Sequence, residues 1–469
     1  MKHTTLEKLE SKTPRSRLLH KRALKVMPGG VCHNLRYHEP YPFYAKRTDG
    51  AYFWDVDGNK YLDFWMGHYL NILGHNPEVI ATSIKKEIEK GIQWGIVHPK
   101  QVELAEIVCR LIPSAEQVRF CCSGTEGGIN ARRLARVYTK KSKFIKMQGG
   151  WHGAGAVSAM VDNPALSVSK LGGSSKEAKE ETIVVPFNDT QKVADAISKN
   201  ANDLAGVIME PVLGEGGFIP ADLEFLRTIR QMTEKVGALL IFDEVITGFR
   251  LALGGAQSVF NIMPDLTVLG KILGGGMPIG AVAGRADIMK RCSPIEDLPA
   301  SEKTLIGGGT FSCAPLSMTA GIAMLTYLEE NQDWIYPRLN RMGEKIRDQV
   351  ELIFLRHGLN VQCTGIASLF MTNFPKSKGM KLESCENISL DCDLSRREGD
   401  LRLRLLNKGV FAMHGGGALS VRHTEQDLQF FFTVLDEVAQ EMALGDHYKE
   451  ENYAYNLSQY YNEAMLHYK

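Results

Sequence analysis

A lysine of this chain stands where its amine could act as a nucleophile. Residues 266–269 form an apolar run typical of a buried strand, and Gly270 and Lys271 follow it directly. Burial lowers the pKa of a lysine and leaves more of the free amine that attacks aldehydes. Taken alone, a lysine beside glycines also suits an ordinary surface position. The glycines at 274–276 lack the G-x-G-x-x-G spacing of a dinucleotide-binding loop.

An acidic residue ends a second apolar run. Residues 239–242 are Leu-Leu-Ile-Phe, and Asp243 follows them. A carboxylate at the end of a buried strand is costly unless it is paired or hydrogen-bonded. It could hold a cation such as a protonated pyridine nitrogen, which would in turn keep the carboxylate ionised. From this residue alone, a metal ligand or a helix N-cap stays an open alternative.

A third candidate lies where a strand gives way to a helix. Ser123, Gly124, Thr125 and Glu126 follow the run 117–121, and Ser123 with Glu126 has the spacing of a capping box. The N-terminus of such a helix offers backbone N–H groups and the positive end of the helix dipole to a phosphate. The same residues would also suit a helix that is well capped and binds nothing.

Together, the three sites match the needs of one cofactor, pyridoxal 5′-phosphate (PLP). PLP requires a lysine that forms a Schiff base, an acid beside its pyridine nitrogen and an anchor for its phosphate. Lys271, Asp243 and the helix that starts at Ser123 offer these three groups. We therefore predict a PLP enzyme in which Lys271 and Asp243 are catalytic and no metal ion takes part.

These residues have to be positioned by a sheet. Between about residues 76 and 325, short apolar runs alternate with amphipathic helical patterns such as 77–90 and 223–235. This alternation predicts an α/β fold with a mostly parallel, doubly wound sheet, whose functional residues lie at the carboxyl ends of the strands. The clearest predicted strands are 117–121, 143–146, 205–209, 239–242, 266–269 and 280–283.

The two ends of the chain predict a second, smaller α+β domain. Near the N-terminus, residues 13–27 indicate a short helix that ends before Pro28. Asp57-Gly58-Asn59, between the strand-like runs 51–56 and 60–65, predicts a hairpin. A long helix is expected near 315–330. The predicted segments are 1–75 (N-terminal part of the small domain), 76–325 (large PLP-binding domain), 326–445 (C-terminal part of the small domain) and 446–469 (a tyrosine-rich tail).

Composition excludes several other classes of protein. Lys and Arg number 55 against 54 Asp and Glu, so nothing in the charge predicts a nucleic-acid partner or an acidic membrane surface. No apolar run is long enough for a membrane span, and residues 1–21 are too polar for a secretory signal. The nine cysteines are odd in number and without C-x-x-C spacing, which favours reduced thiols in a cytoplasmic protein over disulfides or zinc.

From about residue 20 to 440, the chain resembles the class III aminotransferases of PLP fold type I, and most of all their glutamate-1-semialdehyde aminomutase branch. The order and spacing of nine motifs carry this resemblance. They are Pro28-Gly29-Gly30-Val31, Asp49-Gly50 with Asp55-Val56-Asp57-Gly58, Gly74-His75, Ser123-Gly124-Thr125-Glu126, Trp151-His152-Gly153, Met209-Glu210-Pro211, Asp243-Glu244-Val245, Gly270-Lys271 and Gly308-Gly309-Thr310-Phe311.

The resemblance implies a role for each residue around the cofactor ring. Lys271 is then the Schiff-base lysine and the group that moves the proton, and Asp243 pairs with the pyridinium. Val245 packs on one face of the ring. Trp151 stacks on the other face, with His152 beside it. The family usually has Tyr or Phe at position 151, so Trp151 keeps the stacking and loses a phenol hydroxyl.

The resemblance also implies that two subunits share each active site. Ser123, Gly124 and Thr125 bind the cofactor phosphate from one subunit, and Thr310 completes the site of its neighbour. We therefore expect a homodimer. Without the resemblance, Thr310 would be interpreted as a loop residue and nothing more.

The expected substrate residues are Arg36 and His68. Arg36 matches an arginine that the aminomutase branch uses for a substrate carboxylate, although a solvated surface arginine is the alternative. His68 stands in the segment 68–70, where the branch has Trp-Gly-Pro, and residues 414–417 read His-Gly-Gly-Gly where it has an acid. Both departures should reshape the pocket, and the second should remove a charge from it.

These departures favour an aminotransferase that moves an amino group from an amino acid, with β-amino acids among the candidates, to a keto acid. The first alternative is the intramolecular glutamate-1-semialdehyde 2,1-aminomutase reaction. Racemases and decarboxylases on the same scaffold are minor alternatives. A non-catalytic PLP-fold binding protein is another, but it would have no need of Lys271 together with Asp243.

Overall fold

The structure is a computed structural model, and it describes residues 5–154 and 175–444. The predicted tyrosine-rich tail, 446–469, lies outside the described residues. Within those two ranges, no helix combines the length and the apolar character needed to cross a membrane.

The strands of the described ranges form four sheets. In chain order they are β1 (Ala45–Asp49), β2 (Tyr52–Asp55), β3 (Lys60–Asp63), β4 (Gln117–Cys121), β5 (Lys143–Met147), β6 (Thr182–Val185), β7 (Leu204–Met209), β8 (Val212–Leu213), β9 (Ile219–Pro220), β10 (Leu239–Asp243), β11 (Leu266–Gly270), β12 (Gly280–Gly284), β13 (Gln362–Thr364), β14 (Leu369–Asn373), β15 (Val410–Phe411) and β16 (Gly416–Ala418).

The α-helices of the same ranges lie mostly between those strands. They are α1 (Thr5–Lys12), α2 (Pro14–Ala23), α3 (Met66–Tyr69), α4 (Glu78–Ile88), α5 (Pro99–Leu111), α6 (Gly124–Thr139), α7 (Lys176–Glu180), α8 (Thr190–Lys199), α9 (Leu223–Val236), α10 (Gly255–Phe260), α11 (Ala286–Met289), α12 (Pro315–Glu330), α13 (Gln332–Arg356), α14 (Cys385–Asp391), α15 (Arg402–Asn407) and α16 (Glu425–Ala443).

The large sheet has seven strands in the order β4-β12-β11-β10-β7-β5-β6. All six predicted runs are strands of this sheet, which confirms the predicted mostly parallel α/β fold. Every residue of β7, β10, β11 and β12 is buried, as expected for strands that are covered on both faces. Helix α6 packs on one face and helices α8 and α9 on the other, through the apolar clusters that they share with the strands.

Strand β12 departs from the parallel pattern. It runs antiparallel to both of its neighbours, β11 and β4. The reason is the short connection between β11 and β12, residues 271–279, which holds only a 3-10 turn at Lys271–Gly274. A parallel neighbour would need a crossover of a dozen or more residues, usually with a helix.

A four-stranded sheet, in the order β1-β2-β3-β15, joins the two ends of the described chain. The predicted hairpin around Asp57-Gly58 is confirmed, because β2 and β3 pair antiparallel across it. The next neighbour of β3 is β15, and the two are parallel, with Leu62 opposite Val410. The limits that we gave for the domains remain predictions.

The N-terminal helix differs from the prediction of one helix at 13–27. One helix, α2, lies in this range, and it begins at Pro14, which has no N–H and suits the first position of a helix; α1 precedes it at Thr5–Lys12. Helix α2 then ends at Ala23, where hydrogen bonds of the Val26 N–H to Ala23 and of the Lys25 N–H to Arg22 tighten the chain into turns. The other predicted helices, α4, α9 and α12, lie within two residues of their expected limits.

Candidate active site

The predicted lysine and acid lie at the ends of two neighbouring strands. Asp243 is the last residue of β10 and pairs with Val268 of β11, and Lys271 follows the end of β11. Lys271 has a φ of 47°, a left-handed conformation that is uncommon outside glycine. The chain then forms a 3-10 turn from Lys271 to Gly274. The turn closes at Gly275, where an added Cβ would lie 2.6 Å from the carbonyl oxygen of Ala320.

The surroundings of Lys271 favour its uncharged amine. Burial lowers the pKa of Lys271, and the nearby carboxylates of Glu215, Glu210 and Asp243 offset only part of that effect. A larger fraction of Lys271 is therefore the free amine that reacts with aldehydes.

Asp243 is held by a buried histidine. The Nδ1 atom of His152 lies 2.8 Å from Oδ2 of Asp243, and both side chains are almost fully buried. Burial lowers the pKa of His152, so its imidazole is neutral and Nδ1 donates to the carboxylate. The backbone N–H of Val245 donates to Oδ1 of Asp243 at 3.2 Å. Asp243 is thus oriented from both of its oxygens.

The predicted phosphate site is the N-terminus of α6, directly after β4. Ser123 is the N-cap, and its side chain accepts the N–H of Glu126 at 3.3 Å. The predicted capping box is only half correct, because the Glu126 carboxylate accepts the N–H of Cys122 at 2.8 Å. Either arrangement fixes the start of the helix, and the remaining N–H groups of its first turn are those that a helix leaves unbonded.

Gly124 and Thr125 lie at the same helix start, close to other predicted site residues. A Cβ added to Gly124 would lie 2.8 Å from a methyl carbon of Val245, so this surface exists only because residue 124 is glycine. The hydroxyl of Thr125 accepts the N–H of Ala154 at 3.3 Å. The structure therefore brings Gly124, Thr125 and Val245 together beside Asp243.

Trp151 is positioned by an acid to which the sequence analysis gave no role. The N–H of Trp151 donates to Oε1 of Glu210 at 2.8 Å, and the N–H of Gly214 donates to Oε2 at 3.1 Å. Burial and the charge of Asp243 raise the pKa of Glu210. Glu210 belongs to the Met209-Glu210-Pro211 motif, and that motif could have indicated its place in the site.

Thr310 lies in an exposed loop next to the helix start. The thiol of Cys122 donates to the carbonyl oxygen of Gly308, two residues before Thr310, at 3.1 Å, and the Gln93 side chain donates to the carbonyl oxygen of Thr310 at 2.6 Å. Large apolar side chains close to Thr310 and Gln93 in sequence are exposed, and Phe311, for example, exposes 66% of its surface. Thr310 is thus exposed.

The predicted substrate residue His68 contacts an acid that we did not predict. Its Nε2 lies 2.7 Å from Oε1 of Glu215. His68 has a φ of 66°, which a non-glycine residue keeps only where its surroundings hold it. Burial disfavours the charge of Glu215, but the hydrogen bond from His68 and the charges of His68, His414 and Lys271 lower its pKa to about 2. Glu215 is therefore an anion.

Arg36 is exposed, on the short turn Asn34–Arg36, and lies near the same group of residues. The ring of His33 is 5.9 Å from the ring of His68. Burial lowers the pKa of His33, and the charges of His68 and Arg36 lower it further. Sequence reasoning thus placed Arg36 and His68 in the same part of the molecule.

The loss of a charge at residues 414–417 stays a prediction, and the structure places an acid from another part of the chain beside this segment. His414 lies there, and its Nδ1 is 2.8 Å from Oε2 of Glu398. The charges of Glu398 and Glu215 both act on His414. Neither acid is next to the 414–417 segment in sequence, so no local pattern could reveal them.

Comparison with known proteins is consistent with this geometry. The family model described as aminotransferase class-III matches residues 34–417. The chain is 39% identical to the glutamate-1-semialdehyde 2,1-aminomutase of Methanosarcina acetivorans over 88% of this chain and 96% of that protein. It is 42% identical to the protein of the same name from Methanothrix thermoacetophila, over 84% and 89%.

Two solved structures are similar over nearly the whole chain. An ω-transaminase from Sphaerobacter thermophilus is 32% identical, with a TM-score of 0.83, over 92% of this chain and 98% of that one. A β-phenylalanine aminotransferase from Variovorax paradoxus is 30% identical, with a TM-score of 0.81, over 92% and 95%.

Proposed function

Since the chain belongs to the class III aminotransferases, which are PLP-dependent enzymes, we propose that it moves an amino group within one small carboxylated substrate. The reaction would be that of a glutamate-1-semialdehyde 2,1-aminomutase. Sequence analysis ranked this reaction second, behind transfer between two substrates. The relatives at 39% and 42% identity carry the aminomutase name, which favours the alternative over our first choice.

The proposal rests on the buried acid Glu215, which has an oxygen without a hydrogen-bond partner among the described residues. Its side chain is 3% exposed, and its Oε2 atom has no hydrogen-bond partner among the described residues. A buried anion with an unused oxygen is costly unless a ligand satisfies it. An enzyme that moves an amino group within one molecule must retain a diamine, and an ammonium group of that diamine is the cation that Glu215 suits.

The residues around Lys271 fit PLP. Gly124 and Thr125 would hold its phosphate at the start of α6, and Asp243 would face its pyridine nitrogen. When bound, PLP supplies an aldehyde for amines and a ring that takes up electrons. Lys271 would accept a proton from the substrate carbon at Nζ and return it. Asp243, held by His152, would keep the pyridine nitrogen protonated.

A reaction between two substrates is the second candidate. The two structural neighbours described above are transaminases, and each resembles this chain over 92% of its length. An amino acid and a keto acid would then enter the site in turn. The pocket would have to release the keto product, for which the acid Glu215 would serve no evident purpose.

We also propose a homodimer that works in the cytoplasm. Thr310 is exposed, and its loop contacts Cys122, just before the predicted phosphate site at the start of α6. A second copy that packs on this surface could therefore present its own Thr310 to the phosphate site of the first chain. Exposed apolar residues on the same segments support a contact there, since a lone chain would leave them in water. They are Ile92, Ile96, Val97, Leu305 and Phe311.

One assay separates the two reactions. Holoenzyme in its pyridoxamine form is given glutamate 1-semialdehyde, and 5-aminolevulinate is measured by chromatography without any added amino acceptor. In parallel, the PLP form receives α- and β-amino acids with 2-oxoglutarate or pyruvate. We expect 5-aminolevulinate and little transamination of the panel. Transamination of the panel without 5-aminolevulinate would establish the second candidate.

Glu215→Gln gives a sharper version of the assay. Loss of the anion should let the diamine leave before the second transfer, so diamine accumulates in solution and the yield of 5-aminolevulinate falls. Glu329→Gln is the matched control, because Glu329 pairs with Arg110 on the surface. That control should behave as the unchanged enzyme does.

A further inference from the structure

One histidine near the candidate site has a ring nitrogen without a hydrogen-bond partner among the described residues. His414 lies in the turn between β15 and β16, and its side chain is 12% exposed. Its Nδ1 contacts Glu398, while its Nε2 is buried and has no hydrogen-bond partner among the described residues. The φ of His414 is 53°, a conformation that costs energy for a residue other than glycine. The fold therefore holds this imidazole in place and leaves one of its nitrogens unused.

The partner of His414 is itself fixed by an arginine. Nε of Arg397 donates to Oε1 of Glu398 at 2.8 Å, so both oxygens of this carboxylate are engaged. Nη1 of Arg397 donates to Oδ1 of Asn373 at 2.7 Å, which anchors the arginine to β14. The Glu398 carboxylate consequently has one orientation, with Oε2 towards His414.

The charges around His414 favour its imidazolium form. Burial alone would lower its pKa, but the carboxylates of Glu398 and Glu215 outweigh burial and the charge of Arg397, and they raise it. With Nδ1–H donating to Glu398, the charged ring carries a second N–H at Nε2. A buried N–H on a cation needs an acceptor, and a carboxylate matches both its charge and its geometry.

His414 lies close to the groups described above. The ring of Trp65 lies 4.5 Å from that of His68 and 6.2 Å from that of His414. The charges of His414 and Lys271 both act on Glu215. A ligand next to Lys271 would therefore meet an anion at Glu215 and a cation at His414.

We propose that Nε2–H of His414 binds the carboxylate of the substrate, so that the anionic end of the substrate is held inside the pocket by an imidazolium. This assignment rests on the proposed function for the identity of the substrate, a short amino-carboxylate. His414 would be a second, buried contact for the substrate carboxylate besides Arg36, which is exposed. Glu215 and His414 would then hold opposite ends of one molecule.

Calorimetric titration of the PLP-loaded enzyme with pentanoate tests the proposal. Pentanoate carries the carboxylate and has neither an amine nor a keto group, so it binds without reacting. Pentanamide is its uncharged counterpart. We expect the unchanged enzyme to bind pentanoate at least about tenfold more tightly than pentanamide, as a charge-assisted hydrogen bond predicts. Equal affinities would overturn the proposal without any variant.

His414→Gln should remove most of that preference. Its Kd for pentanoate should rise at least about tenfold, with the Kd for pentanamide unchanged. His357→Gln is the matched control, because Nε2 of His357 also lies near a carboxylate, that of Asp436 at 3.1 Å, but at the contact between the end of α13 and α16. The affinity of Arg36→Gln for pentanoate is measured in parallel, so that the contribution of Arg36 is known separately from that of His414.

An unchanged affinity for pentanoate in a folded His414→Gln protein would contradict the assignment. Folding is checked by near-UV circular dichroism and by the absorbance of bound PLP. Because pentanoate binding involves no amino transfer, this result stands whichever of the two reactions the enzyme performs. A failure here is thereby distinct from a failure of the proposed function.

Discussion

Individual residues of the site are arranged so that charge lies where an amine reaction needs it. Lys271 is next to carboxylates, and burial still lowers its pKa. Asp243 accepts hydrogen bonds from His152 and from a backbone N–H, and these two donors fix the orientation of its carboxyl group. Glu244, the next residue, points away and accepts the N–H groups of Ala256 and Gln257. The two adjacent acids thus point in different directions, Asp243 into the candidate site and Glu244 to the first turn of α10.

Lys271→Ala should abolish turnover, because no other amine would occupy the end of β11. We expect kcat to fall at least about a thousandfold and the visible absorbance of lysine-bound PLP to disappear. Spectrophotometry and the assay with glutamate 1-semialdehyde measure both. Lys345→Ala is the control, since Lys345 pairs with Glu425 on the surface. Full activity of Lys271→Ala would refute the central assignment.

At the scale of elements, the sheet was predictable because its strands are buried on both faces. Such strands are continuous apolar runs, and all six that we named belong to the large sheet. Lys271 and Asp243 could be placed because each directly follows such a run. The antiparallel direction of β12 was missed, since it depends on how the nine-residue connection 271–279 folds back rather than on an apolar pattern.

The acids and the histidine of the pocket were beyond the reach of local patterns. His68 and Glu215 are far apart in the chain, and the Glu398–His414 pair joins a helical segment to a turn. Their pairing depends on tertiary contacts and on left-handed φ values at His68 and His414, which no period in the sequence indicates. Reasoning from residues 414–417 alone therefore predicted a loss of charge.

The start of α6 gives a prediction for an element. Gly124→Ala would place a methyl group 2.8 Å from Val245, at the surface that we assign to the cofactor phosphate. We expect the Kd for PLP to rise about tenfold or more, measured by fluorescence titration of the apoenzyme. Gly237→Ala is the control, because Gly237 has a φ of 64° at the end of α9 and an added Cβ meets nothing. It should lower stability and leave PLP affinity unchanged.

At the scale of the molecule, the proposed dimer makes each site depend on two chains. Thr310→Ala would then impair the neighbour's phosphate site, and Lys271→Ala would disable its own. Mixed dimers of the two variants would contain one intact site, so co-expression should restore activity to about a quarter of normal. Steady-state assays at limiting PLP, with light scattering for mass, measure this. Activity no greater than that of the separate variants would place Thr310 outside the shared site.

The pairing of β3 with β15 has a consequence for how the chain folds during synthesis. Leu62 and Val410 lie opposite each other, although most of the described chain lies between them in sequence. The strands of the large sheet, 117–284, all emerge from the ribosome before Val410 does. The outer edge of β3 therefore stays unpaired until β15 has been synthesised, while the strands of the large sheet are already available. A chain interrupted before residue 410 would keep that edge open, and such edges are where nascent chains aggregate.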